Sequence, residues 1–237
     1  MKILAISPTY NEKKNINELI DKISQLKINI DILIVDDNSP DGTAYEVKKI
    51  MKFSSEVFLL ERSSKLGLGT AYCDGFKWAL DRNYDLIIQI DADLSHNPLD
   101  IPNLIKKTKT ADLVIGSRYC NGVNVINWPI GRLILSYIAN LYARLLIQIP
   151  IMDLTGGFKC FKKEVIKSID LDKIKSEGYS FQIEMNFLAW MKKYKIEEYP
   201  IVFTDRTVGD SKMNKSIVFE AIFMVPKLLI KRIFNKF

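Results

Sequence analysis

Leu86 to Pro98 reads Leu-Ile-Ile-Gln-Ile-Asp-Ala-Asp-Leu-Ser-His-Asn-Pro, and its two carboxylates, Asp91 and Asp93, have the types and spacing to do chemistry. Five mostly β-forming residues run into them, and a proline closes the segment, the pattern of a buried strand ending in a site. Carboxylates one residue apart at the C-terminal end of a strand aim hard oxygen ligands at the crevice where open α/β sheets bind their ligands. Such oxygens suit Mg²⁺ or Mn²⁺, and Mg²⁺ is usually held by one or two carboxylates together with substrate phosphates. The implied substrate therefore carries phosphate. The plainer alternative is that Asp91 and Asp93 cap the helix expected near Asp100 or solvate a turn.

The elements that must position this pair alternate. Lys2 to Ser7 is a strand; Pro8-Thr-Tyr-Asn-Glu12 is a polar loop; a helix follows from about Lys14 to Lys27, with Ile16, Leu19, Ile20, Ile23 and Leu26 at helical spacing. Asp31 to Val35 is the second strand, and Asp36-Asp37-Asn-Ser-Pro-Asp-Gly-Thr43 is a turn leading to a helix that ends near Phe53. Val57 to Leu60 is the third strand, after which a glycine loop, Lys65-Leu-Gly-Leu-Gly69, opens a helix that runs to about Arg82. This alternation predicts a mostly parallel sheet covered on both faces. A dinucleotide-binding fold shares that architecture, but the first βα turn lacks Gly-x-Gly-x-x-Gly, and Tyr72 stands where a third glycine would follow Gly67 and Gly69. No Gly-x₄-Gly-Lys-Ser/Thr loop is present.

The chain has 237 residues, enough for one large α/β domain, and its 48% hydrophobic and 26% charged residues are those of a globular protein rather than a disordered one. The apolar run at the start is too short for a secretory signal, so a cytoplasmic location is expected. Cys73, Cys120 and Cys160 are odd in number and widely spaced, which argues against a disulfide framework or a Cys-x-x-Cys metal site and for packing roles. Most of the formal charge of +6 lies at the end of the chain: from Arg206 onward seven Lys/Arg face two acids, a local net of +5. Those cations are interleaved with Ile, Leu, Phe and Val, which fits an anionic membrane surface better than nucleic acid.

Acidic residues recur at the ends of the expected strands: Glu12, then Asp36 and Asp37, then Asp91 and Asp93. Carboxylates accept from the hydroxyls of a ribose or sugar, whereas a diphosphate needs a cation between itself and them. A nucleotide sugar satisfies both demands.

Nine segments in order carry a resemblance over nearly the whole chain. They are Pro8-Thr-Tyr-Asn-Glu12, Asp36-Asp37-x-Ser-Pro-Asp-Gly-Thr43, Lys65-x-Gly-Leu-Gly69-x-Ala, Asp91-Ala-Asp-Leu-Ser-His96, Gly116-Ser-Arg-Tyr119, Trp128-x₃-Arg132-x₃-Ser136-x₂-Ala-Asn140, Asp153-x-Thr-x-Gly-Phe158, Gly178-Tyr-x-Phe-Gln-x-Glu184 and Arg206-x₂-Gly-x-Ser-Lys212. The chain resembles family 2 glycosyltransferases of the GT-A fold, and more narrowly the dolichol-phosphate (polyprenol-phosphate) mannose synthases. The resemblance implies one GT-A domain over 1–237 that inverts the anomeric carbon as it moves mannose from GDP-mannose to polyprenyl phosphate, with Mg²⁺ or Mn²⁺.

It also implies roles. Pro8, Tyr10 and Glu12 border the nucleotide, and Val35 and Asp37 lie at its base and ribose. Asp91 and Asp93 hold the diphosphate and metal, with Ala92 beside the donor. Many relatives carry Gln where this chain has Ser95, so a hydroxyl replaces a stronger third metal ligand. Arg118, Arg132 and Ser136 match positions that hold the acceptor phosphate, and Arg206 and Lys212 match a loop that closes on the donor diphosphate. His96, the only histidine, is a tempting base. An ionised phosphate acceptor requires none.

Two apolar stretches, about 129–152 and 216–237, are interrupted by Arg132, Arg144 and Pro150 and by Pro226, Lys227, Lys231 and Arg232. Neither supplies the roughly 20 uncharged residues of a membrane span, and both fit amphipathic helices lying in the interface. Burial of the first in the core is the alternative. The expectation is a peripheral protein on the cytoplasmic face of a membrane, with room for a small separate membrane subunit and no role for nucleic acid. Three rival readings stand beside it: a polyprenyl-phosphate glucosyltransferase or other UDP-sugar enzyme, a nucleotidyltransferase, and a non-enzymatic membrane-binding module. The nucleotidyltransferase lacks its expected glycine- and lysine-rich loop after strand one, and the module leaves the carboxylates and arginines unexplained.

Overall fold

The computed structural model describes residues 1–205 and 215–234, the side chains of 215–222 excepted. In chain order the strands are β1 (Ile3–Thr9), β2 (Asp31–Asp36), β3 (Val57–Glu61), β4 (Leu86–Gln89), β5 (Leu113–Ser117), β6 (Val125–Ile126), β7 (Lys159–Lys162), β8 (Ile196–Pro200) and β9 (Phe203–Thr204). The helices are α1 (Ile16–Ser24), α2 (Thr43–Met51), α3 (Leu68–Asp81), α4 (Ile101–Lys107), α5 (Ile130–Ile147), α6 (Lys163–Lys167), α7 (Gly178–Met191) and α8 (Lys215–Ile233). Seven strands form one sheet in the order β3-β2-β1-β4-β7-β5-β8; β7 is antiparallel to both neighbours and the other pairs are parallel.

The expected α/β class and mostly parallel sheet are therefore present. Alternation along β1 and β2 divides the core. Ala5, Ile32 and Ile34 pack with Ile16, Leu19, Val47 and Leu104 from α1, α2 and α4, while Leu4, Ile6, Leu33 and Val35 pack with Ala71, Phe76, Phe181 and Leu228 from α3, α7 and α8. Cys73 and Cys160 are buried and all three cysteines are free, as packing residues should be; burial pushes both buried thiols up to about 12.

β1 sits between β2 and β4, so the chain leaves it first toward one edge and then returns to its other side. At such a reversal open α/β sheets bind their ligands in a crevice outside the carboxyl ends of the strands, here those of β1 and β4. The register Thr9↔Asp36 brings the ends of β1 and β2 level beside it.

The apolar stretches differ in two respects from expectation. α5 and α8 are helices packed on each other, joined by Arg232 donating to the carbonyl of Ile147. α8 runs unbroken through Pro226. Among the described residues one helix, Ile130–Ile147, is long and apolar enough by length and composition to cross a membrane, which corrects the expectation that neither would be. Only 17% of that stretch is buried, so it is not a core helix. Ile130, Ile134, Ile138 and Leu145 stand out from it with more than half their surface exposed.

Candidate active site

β4 stops at Gln89, Ile90 remains in the core, and the chain turns so that Asp91 and Asp93 flank the buried Ala92 at the crevice. Leu94 is held at φ 60, in the left-handed region that a branched side chain disfavours. That conformation lets the amide of Ser95 donate to Asp93 Oδ1 at 3.1 Å, so Asp93 is oriented by its own turn. Ser95 itself is buried, and its carbonyl accepts from the amide of Thr204 in β9.

Asp91 is oriented from three sides. The Tyr72 hydroxyl donates to its Oδ1 at 3.0 Å, its backbone amide donates to His96 Nδ1 at 3.4 Å, and a Cβ on Gly157 would lie 3.1 Å from its Oδ2. Burial, and then the charges of Asp91 and Asp93, hold the Tyr72 phenol well above the usual tyrosine range, so it remains a donor. His96 is 3% exposed and stacked on Phe158, with Phe203 edge-on. Its Nδ1 accepts from the Asp91 amide and its ring is enclosed by aromatic side chains, so it packs behind the carboxylate pair.

No group of three or more His, Cys, Asp or Glu that could hold a metal occurs among the described residues. Asp91 and Asp93 are oxygen donors of the type that Mg²⁺ takes, an ion that binds few protein carboxylates and completes its shell with water and phosphate oxygens.

A second cluster lies one short segment away. Arg118, at the end of β5, is 4% exposed; its Nε and one terminal nitrogen donate to Asp153 at 2.7 and 2.6 Å, and that nitrogen also reaches Thr155. Burial alone would lower the arginine's pKa and raise that of Asp153; the pairing overrides both, raising Arg118 and lowering Asp153. Asn140 on α5 clamps the same segment, accepting from the amides of Leu154 and Thr155. Arg132 lies 4.3 Å over the Trp128 ring and donates to both oxygens of Asp205 at 2.8 Å, while Tyr119 donates to Ser136 at 2.8 Å. Trp128 also faces Arg118, at 5.4 Å, so the three residues expected to hold an acceptor phosphate converge around one indole and one tyrosine. Gly156 and Gly157 join the clusters: a Cβ on Gly156 would meet Asp153 at 3.3 Å, and one on Gly157 would meet Asp91.

Several expected contacts are placed otherwise. Val35 is fully buried in β2 between β1 and β3, so its side chain lies in the core and not at the crevice. Asp37 does not present an open carboxylate: it is 5% exposed and accepts from Arg62 and from the amides of Leu66 and Gly67. Arg118 likewise offers no open fork, because Asp153 occupies it. Pro8 and Tyr10 are half-buried at the end of β1, with Lys65 4.1 Å over the Tyr10 ring. Glu12 is buried and accepts from Asn15 at 2.9 Å, which leaves it partly in the role of a turn residue. Arg206 and Lys212 lie outside the described residues.

The glycine loop holds carboxylates where a phosphate loop would hold its ligand: besides the two amides on Asp37, Gly69 N donates to Glu177 at 2.8 Å. Sequence reasoning missed Tyr72, Arg62, Glu177 and Lys159. Lys159 is fully buried in β7, opposite Gln89 of β4, and its Nζ donates to the carbonyl and the Oε1 of Gln182 at 3.1 and 2.7 Å. Gln89 Nε2 donates to that same Oε1, so a buried lysine amine and Gln89 tie α7 to the strand that leads to Asp91. β7 reads Lys-Cys-Phe-Lys, so the sequence does not mark which of its two lysines is buried.

Burial pushes the Lys159 ammonium down to about 7 against the opposing pull of Asp153 and Asp91. The unfolded chain then binds the extra proton between pH 7 and the ordinary lysine range, so this residue's contribution to stability rises with pH over that window. The unfolding free energy of the native protein minus that of Lys159→Met should rise with pH from 7 to 10, by at most about 1.4 kcal/mol per unit. A flat difference in urea melts would count against a depressed lysine.

A model of the family described as "Glycosyl transferase family 2" matches residues 5–170, which include most of β1, the Asp91–Asp93 turn and the Arg118–Asp153 cluster. The chain belongs to glycosyl transferase family 2. This family 2 glycosyltransferase is 40% identical over 227 residues to undecaprenyl-phosphate mannosyltransferase of Micrococcus luteus, covering 96% of this chain and 93% of that one. It is 42% identical over 224 residues to polyprenol monophosphomannose synthase of Mycolicibacterium smegmatis, covering 94% and 84%. Among solved structures it resembles glucosyl-3-phosphoglycerate synthase of Mycobacterium tuberculosis, determined with Mn²⁺, uridine diphosphate and glucosyl-3-phosphoglycerate. There the TM-score is 0.69 and the identity 18%, over 97% of this chain and 79% of that one, a likeness of fold alone.

Proposed function

We propose that this glycosyltransferase transfers mannose from GDP-mannose to a polyprenyl monophosphate with inversion, acting as one GT-A unit over 1–237. The observation that carries the reading is the juxtaposition of two clusters across Gly156 and Gly157: the carboxylate pair Asp91 and Asp93, suited to a metal and diphosphate, and the ion pairs Arg118–Asp153 and Arg132–Asp205 gathered around Trp128, at the positions the resemblance gives to the acceptor phosphate. Arg132 Nε and Trp128 Nε1 add two buried N–H donors with no hydrogen-bond partner among the described residues, beside one another. Unmet buried donors favour an anion. The two relatives named as mannosyltransferases of undecaprenyl or polyprenol phosphate support the same assignment.

In this reading Mg²⁺ or Mn²⁺ held by Asp91 and Asp93, with Ser95 alongside, supplies positive charge to the leaving diphosphate. Pro8, Tyr10, Glu12, Asp37 and Ala92 shape the donor end of the crevice, Val35 backs it from the core, and Arg206 and Lys212 close on the diphosphate. Arg118 organises the acceptor end through Asp153 and Thr155, and Arg132 and Ser136 position the lipid phosphate. A phosphate oxygen attacks the anomeric carbon, its bond forms as the carbon–oxygen bond to GDP breaks, and an α-linked donor gives a β-linked product. The acceptor oxygen is already ionised, so positioning and electrostatics do the catalytic work. The exposed apolar residues of α5 and α8 rest on the cytoplasmic surface of the membrane, where the acceptor resides, with a small membrane subunit as a candidate partner.

Purified protein is given polyprenyl-phosphate vesicles and labelled GDP-mannose or UDP-glucose, each with Mn²⁺ or chelator. The expected result is chelator-sensitive lipid label from GDP-mannose. Label from UDP-glucose alone would move the assignment to a UDP-sugar enzyme. Replacing Ile134 and Ile138, one helical turn apart on the exposed side of α5, by Glu should cut vesicle co-sedimentation at least about tenfold, given roughly 1–2 kcal/mol per partly buried side chain. Unchanged co-sedimentation would remove α5 from the membrane contact.

A further inference from the structure

The motifs around the glycine loop and the start of α7 are absorbed by neither cluster, yet they converge on one atom. α3 and the residue before it are driven against their neighbours at three glycines: a Cβ at Gly69 would lie 2.2 Å from the carbonyl of Ser176, one at Gly67, which caps the helix, 2.5 Å from the Glu177 carboxylate, and one at Gly75, midway along it, 2.7 Å from Ile6 Cγ2. Side chains there would push α3 away from α7 and from β1. Between these contacts sits Tyr72, fully buried, its ring parallel to Phe181 of α7 at 5.8 Å and packed beside Phe76 at 6.1 Å. Held from both sides, its hydroxyl ends 3.0 Å from Asp91 Oδ1, while the Asp91 side chain keeps 34% of its surface exposed.

We propose that Tyr72 is a positioning residue for the metal site: its hydroxyl fixes the rotation of the Asp91 carboxylate so that the carboxylate meets a divalent cation preoriented, and the glycines of the Lys65–Gly69 loop exist to let α3 approach closely enough for that bond. The inference rests on the reading of Asp91 as a metal ligand. Hydrogen bonds from groups behind the ligands set the orientation of ligating carboxylates, and removing such a partner usually costs 10–100-fold in metal affinity or activity. A phenol suits the task because it donates one hydrogen bond along a direction set by its packed ring.

Tyr72→Phe removes the donor and keeps the ring and its stacking. Mn²⁺ binding to the full chain in the presence of GDP, read by the loss of the free-ion electron paramagnetic resonance signal, should weaken about tenfold or more in Tyr72→Phe. The Mn²⁺ concentration for half-maximal transfer should rise by a similar factor, while the KM for polyprenyl phosphate stays within about twofold. Ile20→Val, in the core on the opposite face of the sheet, shows how far a small loss of stability alone moves Mn²⁺ binding, and Asp91→Asn shows whether Asp91 holds the ion. Weakened binding in Asp91→Asn and Tyr72→Phe but not in Ile20→Val supports the inference. Weakened binding in Asp91→Asn with native binding in Tyr72→Phe overturns the role of Tyr72 and leaves the metal site standing. Native binding in Asp91→Asn overturns both.

Discussion

Asp93→Ala is expected to lower kcat/KM for mannose transfer by about 10³ or more, a loss of roughly 4 kcal/mol of transition-state stabilisation. The carboxylate is half of the pair that meets the cation, and no third acidic, His or Cys side chain joins the pair among the described residues to compensate. The fold should survive. Within the described structure the substitution removes the bond from the Ser95 amide, a contribution of about 1 kcal/mol, which corresponds to an unfolding midpoint lower by about 2–4 °C. Vesicle co-sedimentation should match the native protein, because the exposed residues of α5 and α8 are untouched. Native turnover in a single-turnover assay at saturating Mn²⁺ would take Asp93 out of the mechanism.

Asp153→Ala should produce the largest loss of stability. Asp153 is wholly buried, accepts from the backbone amide of Arg118 at 2.9 Å as well as from its side chain, and lies under the loop that joins the two clusters. Removing it strands a buried guanidinium, which typically costs 3–5 kcal/mol. For a domain of this size that lowers the unfolding midpoint by about 6–20 °C. The double replacement Arg118→Met with Asp153→Leu should recover most of that loss, since an apolar pair of similar volume is often neutral or better than a buried ion pair. Recovered stability without transfer would separate the two roles of Arg118, and recovered transfer would confine it to structure.

The pair also sets an acid limit. The folded pKa of Asp153 is lowered below that of the unfolded chain, so its contribution is present above about pH 4 and lost as pH falls through the folded value. The double replacement should therefore show a shallower acid limb in urea melts from pH 5 to 2.

Much of this protein was legible in its residues. The helical spacing of Ile16, Leu19, Ile20 and Ile23, the apolar runs at 32–35 and 86–90, and the turn residues between them predicted the alternating elements and the mostly parallel sheet. Local chemistry was enough there, since each element buries one face whose period is written in its own sequence. The Asp91–Asp93 pair was found in the same way, because an acid directly after an apolar strand has few other places to go. The antiparallel insertion of β7 between β4 and β5 was not legible. Neither was the packing of α8 against α5 and α7.

What the tertiary structure alone decided is which charges spend themselves on the protein. Asp37, Arg118 and Glu12 look alike in sequence to residues that meet a ligand, yet Asp37 and Arg118 are committed to Arg62 and Asp153, partners 25 and 35 residues away. Tyr72 and Lys159 carry no sequence mark of function, yet close approach at glycines and a strand register bring one to Asp91 and the other beneath it. A carboxylate's role depends on which donors come within about 3 Å, and that distance is set by how helices pack on a sheet, not by the residues beside it in the chain.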